Sequence, residues 1–322
     1  MNKTLIICGP TATGKTGFGL KVAHKFSGEI VSADSRQVYE GMDIVTGKDI
    51  PYNLKPKTSN LKWRDRYLKY YEVGGIKVWL YDLVNPDEPF NVAFWKECTD
   101  LVITDIRQRG KLPVIVGGTG LFIKSLTGSL PLISVPSDPQ LRQRLSDKSP
   151  GYLFNYLNKL DSIRAAAMNS SDRSNPRRLI RAIEISLNHF PPSLWLREGA
   201  GGEFDRNSIL NIGLTAPRTR LYRLVDARVE SRLAQGAAEE AAGLLKKFGS
   251  DLPSLAGSGY ALFLSPEDLV TKWKYKEHAD VRGQLTWFSK QPNIRWFNIS
   301  IPDWQIPALK LIRVWYNKKT RH

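Results

Sequence analysis

The chain has 322 residues, 42% hydrophobic and 24% charged, with a formal net charge of +16. That composition suits a globular protein with one large or two modest cores, and no apolar run approaches the roughly 20 residues that span a bilayer. Two cysteines, Cys8 and Cys98, are too few for a disulfide framework or a cysteine-rich zinc site and fit a reducing cytoplasm.

The first stretch carries the strongest local signal. Leu5-Ile6-Ile7-Cys8 predicts a buried strand. Gly9-Pro10-Thr11-Ala12-Thr13-Gly14-Lys15-Thr16 follows and fits G-x-x-x-x-G-K-[ST]; Phe18, Leu20, Val22, Ala23 and Phe26 then predict a helix. Such a loop curls so that its amides converge on an anion at a helix N-terminus. Lys15 adds a point charge, and the Thr16 hydroxyl can ligate Mg²⁺. The loop implies a diphosphate or triphosphate without saying what carries it. The apolar run is too short for a signal peptide.

Glu29–Ala33 predicts a second strand, which ends at Asp34-Ser35-Arg36-Gln37-Val38-Tyr39. Ligands of open α/β sheets lie beyond the carboxyl ends of strands. Asp34 there serves either as a metal or proton-accepting carboxylate or as a helix N-cap. Residues 46–77 hold eight Lys/Arg against three Asp/Glu and predict an excursion from the sheet, helical through Trp63–Tyr71. Gly74-Gly75 predicts a hairpin turn into a strand at Ile76–Tyr81. Phe94–Arg109 predicts an amphipathic helix. Leu112–Val116 predicts a buried strand opening into Gly117-Gly118-Thr119-Gly120, where Thr119 either offers a hydroxyl to a phosphate or simply sits in a tight turn.

Residues 128–202 show proline-bracketed short helices and no strand pattern, so a helical insertion is expected. Asn175 and Pro176 mark the start of a helix bearing Arg177, Arg178 and Arg181; such a cluster is either a phosphate-backbone contact or a solvated face. Gly199–Gly202 predicts a hinge. Ile209–Leu214 predicts a strand, Pro217 a helix start, Gly236 an interruption, and Glu239–Phe248 a further helix, with Arg218 or Arg220 within reach of the crevice. The remainder is expected to be helical. Residues 271–322 hold eleven Lys/Arg against three Asp/Glu, interleaved with Trp and Tyr. That mixture suits an unstacked nucleic acid or an aromatic core under a basic face. The overall charge points to a polyanionic partner. The fold class expected is α/β, a P-loop-type parallel sheet flanked by helices with a helical insertion domain, divided as 1–127, 128–202 and 203–322.

Four blocks together resemble the tRNA dimethylallyltransferase (tRNA isopentenyltransferase) family. They are Gly9–Thr16; Asp34–Tyr39 followed by Gly41-Met42-Asp43-Ile44; Pro113–Phe122; and Asn175-Pro176-Arg177-Arg178 with Arg181–Glu184. The resemblance implies transfer of a dimethylallyl group from dimethylallyl diphosphate to N6 of adenosine 37 in tRNA, with Mg²⁺ as cofactor and diphosphate released. It implies that Gly9–Thr16 hold the diphosphate and that Lys15, Thr119 and Arg218 stabilise it as it leaves. Asp34 would be general base or orienter of the amine. Ser35, Arg36 and Gln37 would contact the flipped nucleotide, and Arg142, Arg177, Arg178 and Arg181 on 128–202 would contact tRNA. A cytoplasmic monomer without a membrane partner is expected.

The chain departs from the family pattern in its second half. T-R-x-x-A-K-R-Q is replaced by Glu277-His278-Ala279-Asp280-Val281-Arg282-Gly283-Gln284, and the arginine six residues beyond Arg218 is Leu224. Acceptor recognition is therefore less constrained than donor chemistry. The competing readings are an adenylate isopentenyltransferase acting on free AMP, ADP or ATP, a P-loop NTPase or kinase, and an inert tRNA-binding protein.

Overall fold

A computed structural model describes residues 3–51, 54–128, 133, 135–188, 208–265 and 267–318. The expected hinge at 199–202 lies outside them. The chain divides into two compact units, residues 1–127 with 203–322, and residues 128–202.

The larger unit is built on an eight-stranded sheet. Its strands are β1 (Thr4–Cys8), β2 (Gly28–Ser32), β3 (Lys57–Trp63), β4 (Arg66–Val73), β5 (Ile76–Trp79), β6 (Leu112–Gly117), β7 (Ile209–Thr215) and β8 (Ile294–Asn298), in the order β3-β4-β5-β2-β6-β1-β7-β8. From β5 to β8 all neighbours run parallel. β1, β2 and β6 are buried along their whole length, because helices cover both faces and leave no polar side of the sheet. Alternation sorts the side chains. Ile6 and Cys8 face α2 (Val92–Gln108) and α3 (Gly120–Thr127), where Trp95 stacks on Phe122 at 4.5 Å. Leu5 and Ile7 face α1 (Lys15–Lys25) and a late helix at Gln305–Asn317.

Two expectations fail here. Trp63–Tyr71 is not helical: β3 and β4 form an antiparallel hairpin closed by Arg64-Asp65, and β4 pairs antiparallel with β5. Tyr67, Tyr70, Tyr71 and Val73 favour a half-buried pleated surface, and the irregular spacing of the interleaved charges hides the period of two. The predicted Gly74-Gly75 turn is present, with φ of 55° and 77°, the positive pair that a type I′ hairpin requires. The second failure is β8, expected as helix. Its five residues pair parallel with β7 from Asn211↔Ile294 to Thr215↔Asn298, too short a run to show periodicity.

Arg218–Ala234 (hereafter the phosphate-side helix) and Ala237–Phe248 are separated by Gly236 at φ 99°. Leu269–Ser289 (the closing helix) packs on the first of these. Most late aromatics enter the core. Trp273 and Phe288 are buried, Trp304 packs on Phe18 at 4.9 Å, and Tyr316 on Phe26 at 5.3 Å. Tyr275 and Trp296 remain exposed.

Residues 128–202 are helical where described. Pro139–Leu145, Pro150–Leu160, Ser162–Ala167, Ser170–Arg173 and Pro176–Leu187 close around Leu141, Leu153, Leu157, Leu179 and Ile183. The predicted cap is in place: the Asn175 side chain accepts from Arg178 N–H, and Pro176 occupies the first turn.

Candidate active site

Gly9 ends β1 at φ 136°, where a Cβ would strike the Leu214 carbonyl of β7. The backbone then turns through Ala12 and Gly14, both at positive φ, into α1. Thr13 donates its hydroxyl to the Pro10 carbonyl at 2.9 Å, framing the loop from inside. The Lys15 ammonium donates to that same carbonyl at 2.7 Å. Enclosure, reinforced by the nearby Arg228 cation, pulls Lys15 down to about 8. Thr16 lines the cavity above the loop, and among the described residues its hydroxyl has no partner.

The end of β2 meets the end of β6 beside this loop. Asp34 does not cap a helix; its carboxylate accepts from Arg36 N–H at 3.0 Å within a loop. The Thr119 hydroxyl accepts from Ser35 N–H at 2.9 Å, and Thr119 N–H donates to the Ala33 carbonyl. Both glycine-bearing turns and the Asp34 loop thereby open on one cavity of about 550 Å³, within the range of small-molecule sites. Thr11, Ala12, Gly14, Lys15, Thr16, Asp34, Ser35, Arg36, Gln37 and Thr119 all line it.

Arg218 is not brought there. It occupies the first turn of the phosphate-side helix, exposed, while Arg228 and Arg232, roughly three and four turns on by the α-helical repeat, line the cavity. Arg228 donates to the Thr11 hydroxyl at 2.8 Å and to the Gly47 carbonyl and Asp49 carboxylate at 3.2 Å. Gly47, at φ 65°, admits both arginines; any Cβ would collide with their guanidinium groups.

The closing helix completes the walls. Gln284 accepts from Thr11 N–H at 2.8 Å and donates to the Gly118 carbonyl at 3.3 Å, joining the two glycine turns. Asp280 takes Arg36 in two hydrogen bonds, at 2.9 and 3.2 Å, and also Lys276. These contacts hold Asp280 below the usual carboxylate range against the opposing effect of burial. Glu277 stands 3.7 Å from Arg232. The loop 43–49 is fixed from behind. The Glu240 carboxylate accepts the N–H groups of Asp43, Ile44 and Val45, and the buried Lys48 pairs with Asp82 and Asp43. Sequence reasoning missed Arg232, Asp49 and Glu240. The four-residue spacing of Arg228 and Arg232 was the one local sign that they share a face.

In residues 128–202 the expected basic cluster is partly committed. Arg142 pairs in two hydrogen bonds with the buried Glu184, at 2.6 and 2.9 Å, and Arg181 adds a third at 3.0 Å. Arg178 pairs with Asp172, whereas Arg177 is exposed with no acidic partner among the described residues.

Residues 37–291 match the model of the family described as IPP transferase, and residues 2–69 match that of isopentenyl transferase. The chain belongs to the IPP transferase family. Curated relatives in this family include the tRNA dimethylallyltransferase of Roseiflexus castenholzii, 36% identical and covering 96% of this chain and 97% of its own. That of Limosilactobacillus reuteri is 34% identical, covering 93% of this chain and 94% of its own. Among solved structures, the full-length tRNA isopentenylpyrophosphate transferase of Bacillus halodurans superposes with a TM-score of 0.67 at 29% identity, covering 98% of this chain and 97% of that one. A eukaryotic dimethylallyltransferase solved acting on tRNA shares the fold, with a TM-score of 0.76 at 22% identity. The IPP transferase match spans both units, so the altered stretch at 277–284 lies inside the family domain.

Proposed function

We propose that the chain transfers the dimethylallyl group of dimethylallyl diphosphate to N6 of adenosine 37 in tRNA. The observation that carries this reading is the single cavity holding the phosphate loop on one wall and Asp34 on another. The relatives' shared name favours a tRNA acceptor over free adenylate.

The chemistry divides between the walls. The allylic C1–O bond breaks, its electron pair leaving with the diphosphate. The amides of Ala12–Thr16, the Lys15 ammonium and the Arg228 guanidinium stabilise the growing negative charge, the kind of fixed electrostatics that dominates such steps. The N6 lone pair forms the new N–C1 bond. Asp34 orients the amino group and accepts the proton it loses. Thr119, tied to Ser35, fixes the Asp34 loop against the second glycine turn. Arg36 and Gln37, each anchored by a side-chain hydrogen bond, border the space for a base that has left its stack.

The residues present suit Mg²⁺. The Thr16 hydroxyl, unpartnered among the described residues, is a hard oxygen donor beside the phosphate loop, and magnesium favours one or two protein oxygens with phosphate oxygens and water. Among the described residues no three acidic or histidine side chains form a cage, so Thr16 and the diphosphate would hold the ion, which would neutralise leaving-group charge. For the acceptor, the exposed Arg177 and Arg178 and the half-exposed Arg142 offer phosphate contacts. The enzyme acts as a monomer in the cytoplasm.

The test is transfer of label from dimethylallyl diphosphate, with Mg²⁺, to an anticodon stem-loop containing A36-A37-A38, to AMP and to ATP in parallel. Label on the stem-loop alone is expected. Label on free nucleotides would move the chain to the adenylate branch, and ATP hydrolysis without transfer would make it an NTPase.

A further inference from the structure

Arg232 is the least explained charge in the cavity. Its side chain is 6% exposed, yet it faces the open space. A guanidinium offers five N–H donors in a rigid fork. Among the described residues none of the five reaches an acceptor within hydrogen-bond distance; the one ion pair it forms there is with Glu277, at 3.7 Å, while Arg228, Asp49 and Asp34 act on it from farther off. Every other cation on this wall is engaged. Lys15 holds the Pro10 carbonyl, Arg228 holds Thr11, Gly47 and Asp49, and Arg36 holds Asp280.

Position tells what the fork awaits. Arg232 and Arg228 follow one another on the same helical face and converge on Gly47, and Arg228 is bonded directly to the phosphate loop. The wall also lacks cations that the resembled pattern places here, since Leu224 and Gly283 stand at its arginine positions and both line the cavity.

We propose that Arg232 binds the diphosphate of the donor, taking over in this chain the charge absent at Leu224 and Gly283. This rests on the transferase reading above. Glu277, 3.7 Å away, partly balances the cation without saturating it. Once a diphosphate enters, the fork donates to its non-bridging oxygens, a charge-assisted geometry that lysine cannot reproduce fully. As the C1–O bond breaks and its electron pair moves onto the diphosphate, Arg232 stabilises the charge that develops.

The experiment is calorimetric titration with inorganic pyrophosphate and Mg²⁺, alongside stem-loop binding without donor. Arg232→Met is expected to weaken pyrophosphate at least tenfold and leave stem-loop affinity within twofold. Arg232→Lys should recover part of the loss, and Leu224→Arg added to Arg232→Met should recover more. Glu277→Gln, which keeps Arg232 and removes its competitor, should tighten pyrophosphate binding, and it serves as the test if Arg232→Met does not fold. Pyrophosphate affinity unchanged in Arg232→Met, or unchanged or weakened in Glu277→Gln, would overturn the proposal. So would a loss confined to the stem-loop, which would assign the fork to an RNA phosphate. Wild-type protein that ignores pyrophosphate altogether would instead bring down the transferase reading on which the proposal stands.

Discussion

Asp34 shows how much one side chain depends on what surrounds it. Its backbone leaves β2 at the rim of the sheet, its carboxylate is oriented by Arg36 N–H, and Thr119 pins the next residue. Its position alone left a capping role open, and the loop that follows it closes that possibility. Asp34→Asn keeps the shape and the hydrogen bond while removing the proton acceptor. Transfer should fall by about 10²–10⁴-fold with stem-loop affinity kept, the usual effect of losing a positioned base. Single-turnover kinetics measures this, and near-normal transfer would remove Asp34 from the mechanism. The phosphate loop was legible because its determinants are eight consecutive residues. Arg232 was not, because its meaning comes from Gly47 and Glu277, which only the fold brings beside it. Arg218, one turn after a strand end, looked better placed than it is.

Helices and strands set those positions, and each can be loosened separately. Gln284 is the closing helix's bond to both glycine turns. Gln284→Ala removes a hydrogen bond of about 1 kcal/mol from the Thr11 amide. A drop in kcat/KM of roughly fivefold is expected with little change in melting temperature. An equal fall in both would mean that Gln284 serves the fold rather than the site. On Pro176–Leu187 the arginines separate into two kinds. Arg181 and Arg142 satisfy Glu184, so replacing either disturbs local packing. Arg177→Ala with Arg178→Ala is the cleaner probe. It should weaken stem-loop binding and lower its salt slope by between one and two counter-ions; an unchanged slope would return this face to solvent. The capped helix itself was legible from Asn175-Pro176 and its apolar stripe. The β3–β4 hairpin was not, since irregularly spaced charges among the tyrosines hide the period of two until the partner strand is known.

Charge organises the molecule as a whole, inside as well as outside. Glu29 lies buried on β2 and accepts from Arg109, Lys111 and Trp79. Burial opposes its ionisation, yet these partners hold it down to about 2. A carboxylate depressed in the folded state adds stability that is complete above its unfolded value, ordinarily near 4.3, and drains away as pH falls toward 2. Glu29→Gln should therefore cost about 2–3 kcal/mol at pH 7 and flatten the loss of stability between pH 5 and 2. Denaturant titrations across that range read both effects; a parallel offset of the two curves would show that Glu29's ionisation contributes nothing. At this scale the parallel sheet and the helical insertion were visible in the sequence, since each leaves a long statistical trace. The eighth strand was not, because five residues leave almost none.

The bond between Thr11 and Gln284 spans 273 positions, and β1 is flanked by β6 and β7. On the ribosome the phosphate motif emerges well before Gln284 and must wait for the closing helix before its scaffold is whole. A product of premature termination anywhere before Gln284 would carry the motif intact as letters, with its loop unbraced. Proteolytic quality control would meet the shortest such fragments, those ending before β6, with the buried strand β1 still lacking both neighbours.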